Sequence, residues 1–337
     1  MLTAAEALAC LASPSSAEDW SPLNGSSPLV IDLASADPAL PLPPAVARAL
    51  RELACASVAF CPAARGADSP LARAADLVVI DSESLATVEE AVARNPIASL
   101  VLVQSLRAEG RSLHEALVAE SLAYSTLQAG PEFARWLTQA GEAARGKPTD
   151  EGDSTAAVEA TREGELLRLE LNRPQRHNAF STALRDALAE ALAVVVADDS
   201  IARVELRGRG PCFSSGGDLA EFGTLDDPAT AHAVRSTRNV GRLLAACGDR
   251  VTAFVHGHNL GAGVELPAFA GRVVARADTS FALPELEMGL LPGAGGTASL
   301  PARIGRQRTA WLALSGVTIT AQTALDWGLV DEICNWD

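Results

Sequence analysis

Apolar and polar positions along the chain switch between a two-residue and a helical period, and the switches mark the elements. Leu166 to Leu171 alternates apolar and charged residues, as a strand with one buried face does. Ser181 stands where a helix N-cap belongs, and Ala183 to Ala197 carries apolar residues at helical spacing. Ile201 to Leu206 reads as the next strand and runs into the glycine-rich turn RGRGPCFSSGGD. A polar helix is expected over Pro228 to Ala246, followed by a strand over Val251 to Val255. Past Gly257 a glycine-rich entry leads into another helix, and Arg272 to Ala275 forms a further strand. This order predicts mixed α/β architecture with the strand-to-helix turns on one side.

The N-terminal part is also mixed. Leu29 to Leu33, Ser57 to Cys61, Leu77 to Ile80 and Ser99 to Val103 are short apolar runs of strand length. Pro43 to Cys55, Leu85 to Arg94 and Leu113 to Thr126 read as helices. Between the two parts, Gln139 to Glu165 (QAGEAARGKPTDEGDSTAAVEATREGE) is polar and rich in small residues, the composition of a linker. The chain therefore divides into an N-terminal α/β and helical region (1–138), a linker (139–163) and a motif-dense core (164–337).

Composition narrows the possible partners. With 337 residues and 48% hydrophobic positions there is ample material for a large core. A formal net charge of −15 argues against nucleic acid or an anionic membrane surface as a partner. Six scattered cysteines, with no CxxC pair and no histidine at metal spacing, suggest reduced thiols and no metal site. No basic stretch followed by an apolar one opens the chain, and no apolar run nears the roughly 20 residues that span a bilayer. A soluble, cytoplasmic protein is expected.

Three segments carry candidate chemistry: CFSSGGDLAEF (Cys212 to Phe222), HGHNLGAGVEL (His256 to Leu266) and FALPELEMGLLPGAGGT (Phe281 to Thr297). Singly, each is a glycine-rich turn ahead of a helix, and most such turns are only tight turns. The glycines at 257, 261 and 263 lack the spacing of a dinucleotide fingerprint. No G-x-S-x-G elbow surrounds Ser214 or Ser215, and no Walker-type Lys-Ser/Thr pair follows a glycine loop.

Taken together, in this order and spacing, the three segments resemble the signature of the crotonase superfamily, the enoyl-CoA hydratase/isomerase family in particular. LELNRPQRHNAFS (Leu169 to Ser181) resembles the opening strand and loop of that fold, and GLVDEI (Gly328 to Ile333) its late strand. The likeness covers residues 164–333. It implies a crotonase-like spiral of ββα units and a lyase that hydrates a 2-enoyl-CoA to a 3-hydroxyacyl-CoA. Negative charge building on the thioester oxygen would be met by the backbone amides of Gly217 and Ala262, an oxyanion hole. Glu265 and Glu285 would share the acid and base work on water and carbon. The resemblance also places Arg176, His177, Asp218 and Gly293 near the substrate, with Asp218 capping the next helix. His256 and His258 are expected to be structural. Coenzyme A enters as part of the substrate, no other cofactor is implied, and a homotrimer or hexamer is the family's assembly.

Two departures matter. Ala220 stands where many relatives place a basic residue near the CoA phosphates, leaving Arg303 or Arg306 as candidate substitutes. The chain also stops at Asp337, where relatives continue into helices that cover the active site. Yet Ala93 to Gln139, with its SLHEAL start and the helix bearing Glu120, resembles that tail. A circular permutation, with covering helices supplied from the front, is the expectation; an unrelated regulatory or dimerisation domain is the alternative. Double-bond isomerisation, modification of an aromatic acyl-CoA, and a decayed acyl-CoA binder remain the rival functions.

Overall fold

The computed structural model describes residues 1–25, 28–145, 155–225 and 227–336. It forms two compact units, Met1–Gly110 with Gly305–Gly316, and Arg111–Ile304 with Val317–Asp337.

The first unit holds a four-stranded sheet in the order β1 (Leu2–Thr3), β2 (Leu29–Asp32), β3 (Ser57–Phe60), β4 (Leu77–Val79). Every neighbouring pair is parallel. Parallel strands are covered on both faces, which is why these read as continuous apolar runs rather than alternating ones. Leu29, Ile31, Leu50 and Leu53 fill its core with at most 1% exposure. Asp76 is the buried charge of this unit. It accepts hydrogen bonds from Ser57 N and Oγ, both at 2.8 Å, and from Arg107 Nε at 2.8 Å and Nη2 at 2.6 Å. Arg306 Nη1 joins it at 3.2 Å. Arg306 is therefore engaged inside this unit, which argues against it as a phosphate contact.

One expected strand is absent. Ser99 to Val103 lies inside the helix Pro96–Arg107. Pro96 opens that helix, and Ala98, Ser99, Leu102, Val103 and Leu106 are buried at helical spacing. A short apolar run does not by itself tell a strand from a buried helix face.

The second unit is built on a six-stranded sheet in the order β13-β10-β8-β7-β6-β5. These are Glu332–Ile333, Arg272–Ala275, Val251–Val255, Arg203–Gly208, Leu166–Leu171 and Val158–Glu163. Only β5 and β6 are antiparallel, joined at Gly164, whose φ of +61° suits the tight turn. A small second sheet joins β9 (His258–Leu260), β11 (Ser280–Ala282) and β12 (Ile319–Thr320).

Three sequence expectations change here. The linker placed at 139–163 is entered by the helix Pro131–Arg145 and left through β5; its middle, 146–154, lies outside the described residues. The helix expected over Pro228 to Ala246 is two helices, Pro228–Thr237 and Val240–Cys247. Asn239 breaks the path, its backbone extended and its side chain accepting from Arg242 N at 2.8 Å to cap the second helix. The helix past Gly257 is a single turn, Ala262–Glu265. Among the described residues, no helix is long and apolar enough to cross a membrane.

Candidate active site

Two glycine-rich turns of the second unit meet edge to edge. Phe180 bridges the first turn, its N–H donating to Gly216 O at 2.7 Å while Asp218 N donates to Phe180 O at 3.4 Å. Gly216 has a φ of +87°, and a Cβ there would lie 2.7 Å from Leu260 O, so only glycine lets the turns come this close. Gly263 sits against Ser214 O, and Leu260 N donates to that same oxygen at 3.3 Å. Among the amides these contacts leave over are those of Gly217 and of Ala262, the first residue of the short helix. Among the described residues neither N–H has an intramolecular acceptor.

Asp218 supports the first turn rather than facing the chemistry. Its Oδ1 accepts from Ala220 N at 3.0 Å, the cap that the sequence suggested. Nη2 of Arg176 straddles both its oxygens, at 2.8 and 2.9 Å.

Two carboxylates close on the second turn. A Cβ added to Gly261 would lie 2.1 Å from Glu285 Oε1 and 3.9 Å from Glu265 Oε1, so both oxygens face the backbone next to Ala262. Glu265 Oε2 accepts from the amides of Ala294 at 2.7 Å and Gly296 at 2.8 Å. Glu285 Oε2 is buried with no hydrogen-bond partner. A third carboxylate, Glu120, arrives from the helix Leu113–Gln128. It accepts from Gly295 N at 2.7 Å, Thr297 N at 2.8 Å and Thr297 Oγ1 at 2.7 Å.

Burial raises all three acids. It lifts Glu285 to about 7, and Glu120 also to about 7 against the pull of its hydrogen bonds to Thr297 and Gly295 and of Arg235. Glu265 is raised by burial and then by the charges of Glu285 and Glu120. Such a group does not ionise fully at neutral pH, so protons are shared within it. The two amides on Glu265 Oε2 favour negative charge there, while burial and the neighbouring carboxylates oppose it, so the proton belongs to the group and not to one member.

These groups line one cavity of about 880 Å³. Gly217, Ala262, Glu265, Glu285, Asp218 and Gly293 all contribute to its wall, brought together from three separate motifs. Arg176 and His177 are not among the lining residues; Arg176 reaches the site only through Asp218. His256 and His258 bond to Gly210 O and Ser280 Oγ, at 2.9 and 2.6 Å. Arg303 donates to Ala268 O and Ala270 O and pairs with Asp331, which engages it as a structural clamp. Ala220 is buried and supplies no charge.

Sequence reasoning did not single out Glu120, Tyr124 and Arg235 as site residues, yet all three line the cavity. Tyr124 is the chain's single tyrosine and packs its ring on Gly293, where a Cβ would come within 2.3 Å of Cδ2.

Comparison with known proteins shows the family. Residues 161–337 match the family model described as enoyl-CoA hydratase/isomerase. The chain is 37% identical over 173 residues to a 2,3-dehydroadipyl-CoA hydratase of Escherichia coli, covering 51% of this chain and 67% of that protein. It is 34% identical over 172 residues to a 1,2-epoxyphenylacetyl-CoA isomerase of the same organism, covering 50% and 66%. The chain thus spans about two thirds of the length of these relatives. The crystal structure of an enoyl-CoA hydratase/isomerase from Mycobacterium paratuberculosis superposes with a TM-score of 0.50 at 28% identity, covering 54% of this chain and 74% of that one. The mixed α/β fold is crotonase-like, as the motifs implied. By the match of more than half its length, the chain belongs to the enoyl-CoA hydratase/isomerase family of the crotonase superfamily.

Proposed function

We propose that the protein adds water across the double bond of a 2-enoyl-CoA, giving a 3-hydroxyacyl-CoA. The observation that carries this reading is the convergence of Glu285 Oε1 and Glu265 Oε1 on Gly261, beside the unengaged amide of Ala262. In this scheme the thioester oxygen lies between the amides of Gly217 and Ala262. Both donors are held by the backbone, so neither reorganises as charge develops, and each such donor is worth about 2.7–4 kcal/mol. Ionised Glu265 takes a proton from water as its oxygen bonds to C3. Protonated Glu285 delivers a proton to C2, and the electron pair of the double bond returns from the oxyanion to form that C–H bond. The pair finishes with its proton exchanged between the two carboxylates.

Helices Leu113–Gln128 and Pro131–Arg145 are, on this reading, the family's covering helices supplied from the front of the chain. Glu120, Tyr124 and Trp136, which line the cavity from those helices, support it. The assembly is a homotrimer or hexamer working in the cytoplasm, and light scattering behind size-exclusion chromatography tests the assembly directly. The activity is tested by following loss of the conjugated thioester absorbance with 2-enoyl-CoAs of several chain lengths. Hydration supports the reading. Isomerisation without hydration would move the function to another reaction of the family.

A further inference from the structure

Three arginines line the cavity, and two already have carboxylate partners. Arg185 pairs with Asp186 at 2.8 Å and Arg238 with Glu190 at 2.9 Å. Arg235 differs. Among the described residues it has no carboxylate within 4.0 Å.

Its partners are all neutral. Nε donates to Ser121 Oγ at 3.1 Å, Nη1 to Gln128 Oε1 at 3.3 Å, and Nη2 to Ser121 O at 3.2 Å and to Ser125 Oγ. A guanidinium has five N–H groups, so one Nη1 proton is left without an acceptor. The group lies 5.0 Å from the centre of the Tyr124 ring, itself part of the cavity wall. Burial lowers the pKa of Arg235, against the opposing pull of Tyr124 and Glu120. Glu120 acts on it only at a distance, because the oxygens of Glu120 are held by Gly295 and Thr297.

Arg235 does tie the helix Pro228–Thr237 to the helix Leu113–Gln128. An amide side chain, with two N–H groups, could make only two of these four bonds, though without the cost of burying a charge. Glu120 and the Tyr124 ring offset part of the cost of burying this cation, and an anion arriving with the ligand would offset more. The cavity wall also carries Val234, Leu225, Trp136 and Phe222, which suit methylene groups.

We propose that Arg235 receives a carboxylate carried on the acyl group, so that the substrate is a CoA thioester of a dicarboxylic acid. This rests on the CoA-thioester reading above. A carboxylate oxygen can accept from the remaining Nη1 proton, and on the CoA-thioester reading the acyl chain is the part of the ligand that enters the cavity.

The test is calorimetric binding of saturated, unreactive thioesters to the full chain. Succinyl-, glutaryl- and adipyl-CoA are compared with butyryl-, valeryl- and hexanoyl-CoA of the same lengths, in wild type, Arg235→Gln and Arg235→Lys. The expected result is one or more dicarboxylic thioesters binding at least tenfold tighter than their partners in the wild type, about 1.4 kcal/mol. Arg235→Gln erases that preference while leaving the monocarboxylic affinity within threefold, and Arg235→Lys keeps part of it. Equal or weaker binding of every dicarboxylic thioester by the wild type overturns the proposal, whatever the variants do. A preference that survives in folded Arg235→Gln also overturns it. Monocarboxylic binding alone would leave the hydratase reading standing; no binding of any thioester would overturn both.

Discussion

Glu120 and Glu265 interleave on one run of backbone. The amides of Ala294 and Gly296 donate to Glu265, while those of Gly295 and Thr297 donate to Glu120. Each carboxylate therefore fixes the loop that holds the other. Glu120 thus shares a loop with Glu265, although 145 positions separate them in sequence.

Removing Glu120 tests that coupling. Hydrogen bonds to a charged group contribute about 1.5–3 kcal/mol, so Glu120→Ala should cost at least that much in urea unfolding. It should also lower kcat more than it raises KM, because Glu265 loses its alignment rather than the site its grip on CoA. Glu120→Gln, which keeps an acceptor, should recover part of kcat. A loss confined to stability, with kcat intact, would make Glu120 a structural tie only.

The shared proton of Glu265 and Glu285 predicts a bell-shaped dependence of kcat/KM on pH. The two limbs belong to the pair, and Glu285, raised to about 7, sets one of them near neutrality. The acid limb lies above the usual carboxylate range, because Glu265 is also raised. Residual activity of Glu285→Gln should lack the alkaline limb. A profile flat through neutrality would contradict the shared-proton arrangement.

The same shifts bear on stability. Glu120 and Glu285 are each near 7 in the folded chain against an ordinary value of 4.5, so the folded state holds protons that the unfolded chain has released. Their contribution is complete below about 4.5 and is lost as pH rises through about 7. The melting temperature should therefore fall between mildly acidic and mildly alkaline buffer, with a smaller fall in Glu285→Gln. A melting temperature that rises over that window would contradict these shifts.

Gly261 is the tightest point of the site. Its φ is +47°, and an added methyl would meet Glu285 Oε1 at 2.1 Å. Gly261→Ala should cost about 1–2 kcal/mol in backbone strain and push Glu285 away from the Gly261 backbone. Activity should drop far more than the unfolding free energy. Activity retained at near wild-type level would mean that the carboxylate does not work at this position.

How much of this could be read beforehand depends on how local each feature is. Gly217, Ala262, Glu265 and Glu285 sit in three short glycine-rich segments, so their meeting in one cavity can be anticipated from the sequence, while their roles belong to the proposed mechanism. Arg235 and Tyr124 could not be anticipated, because their roles arise where the helices Leu113–Gln128 and Pro228–Thr237 come together. The polar stretch before Leu166 hid β5, an edge strand paired to β6 through its backbone and needing little apolar side-chain area. Ser99 to Val103 was misread because five apolar-rich positions fit a strand or one side of a buried helix equally.

The central claim is that Glu285 works with Glu265 on a thioester held by the two amides. The most direct test is kcat/KM for hydration of a 2-enoyl-CoA by the wild type and by folded Glu285→Gln. The account predicts measurable hydration by the wild type and a loss of about 10²–10⁴-fold in the variant, the range of general acid–base catalysis. Hydration within a few-fold of wild type in Glu285→Gln would contradict it.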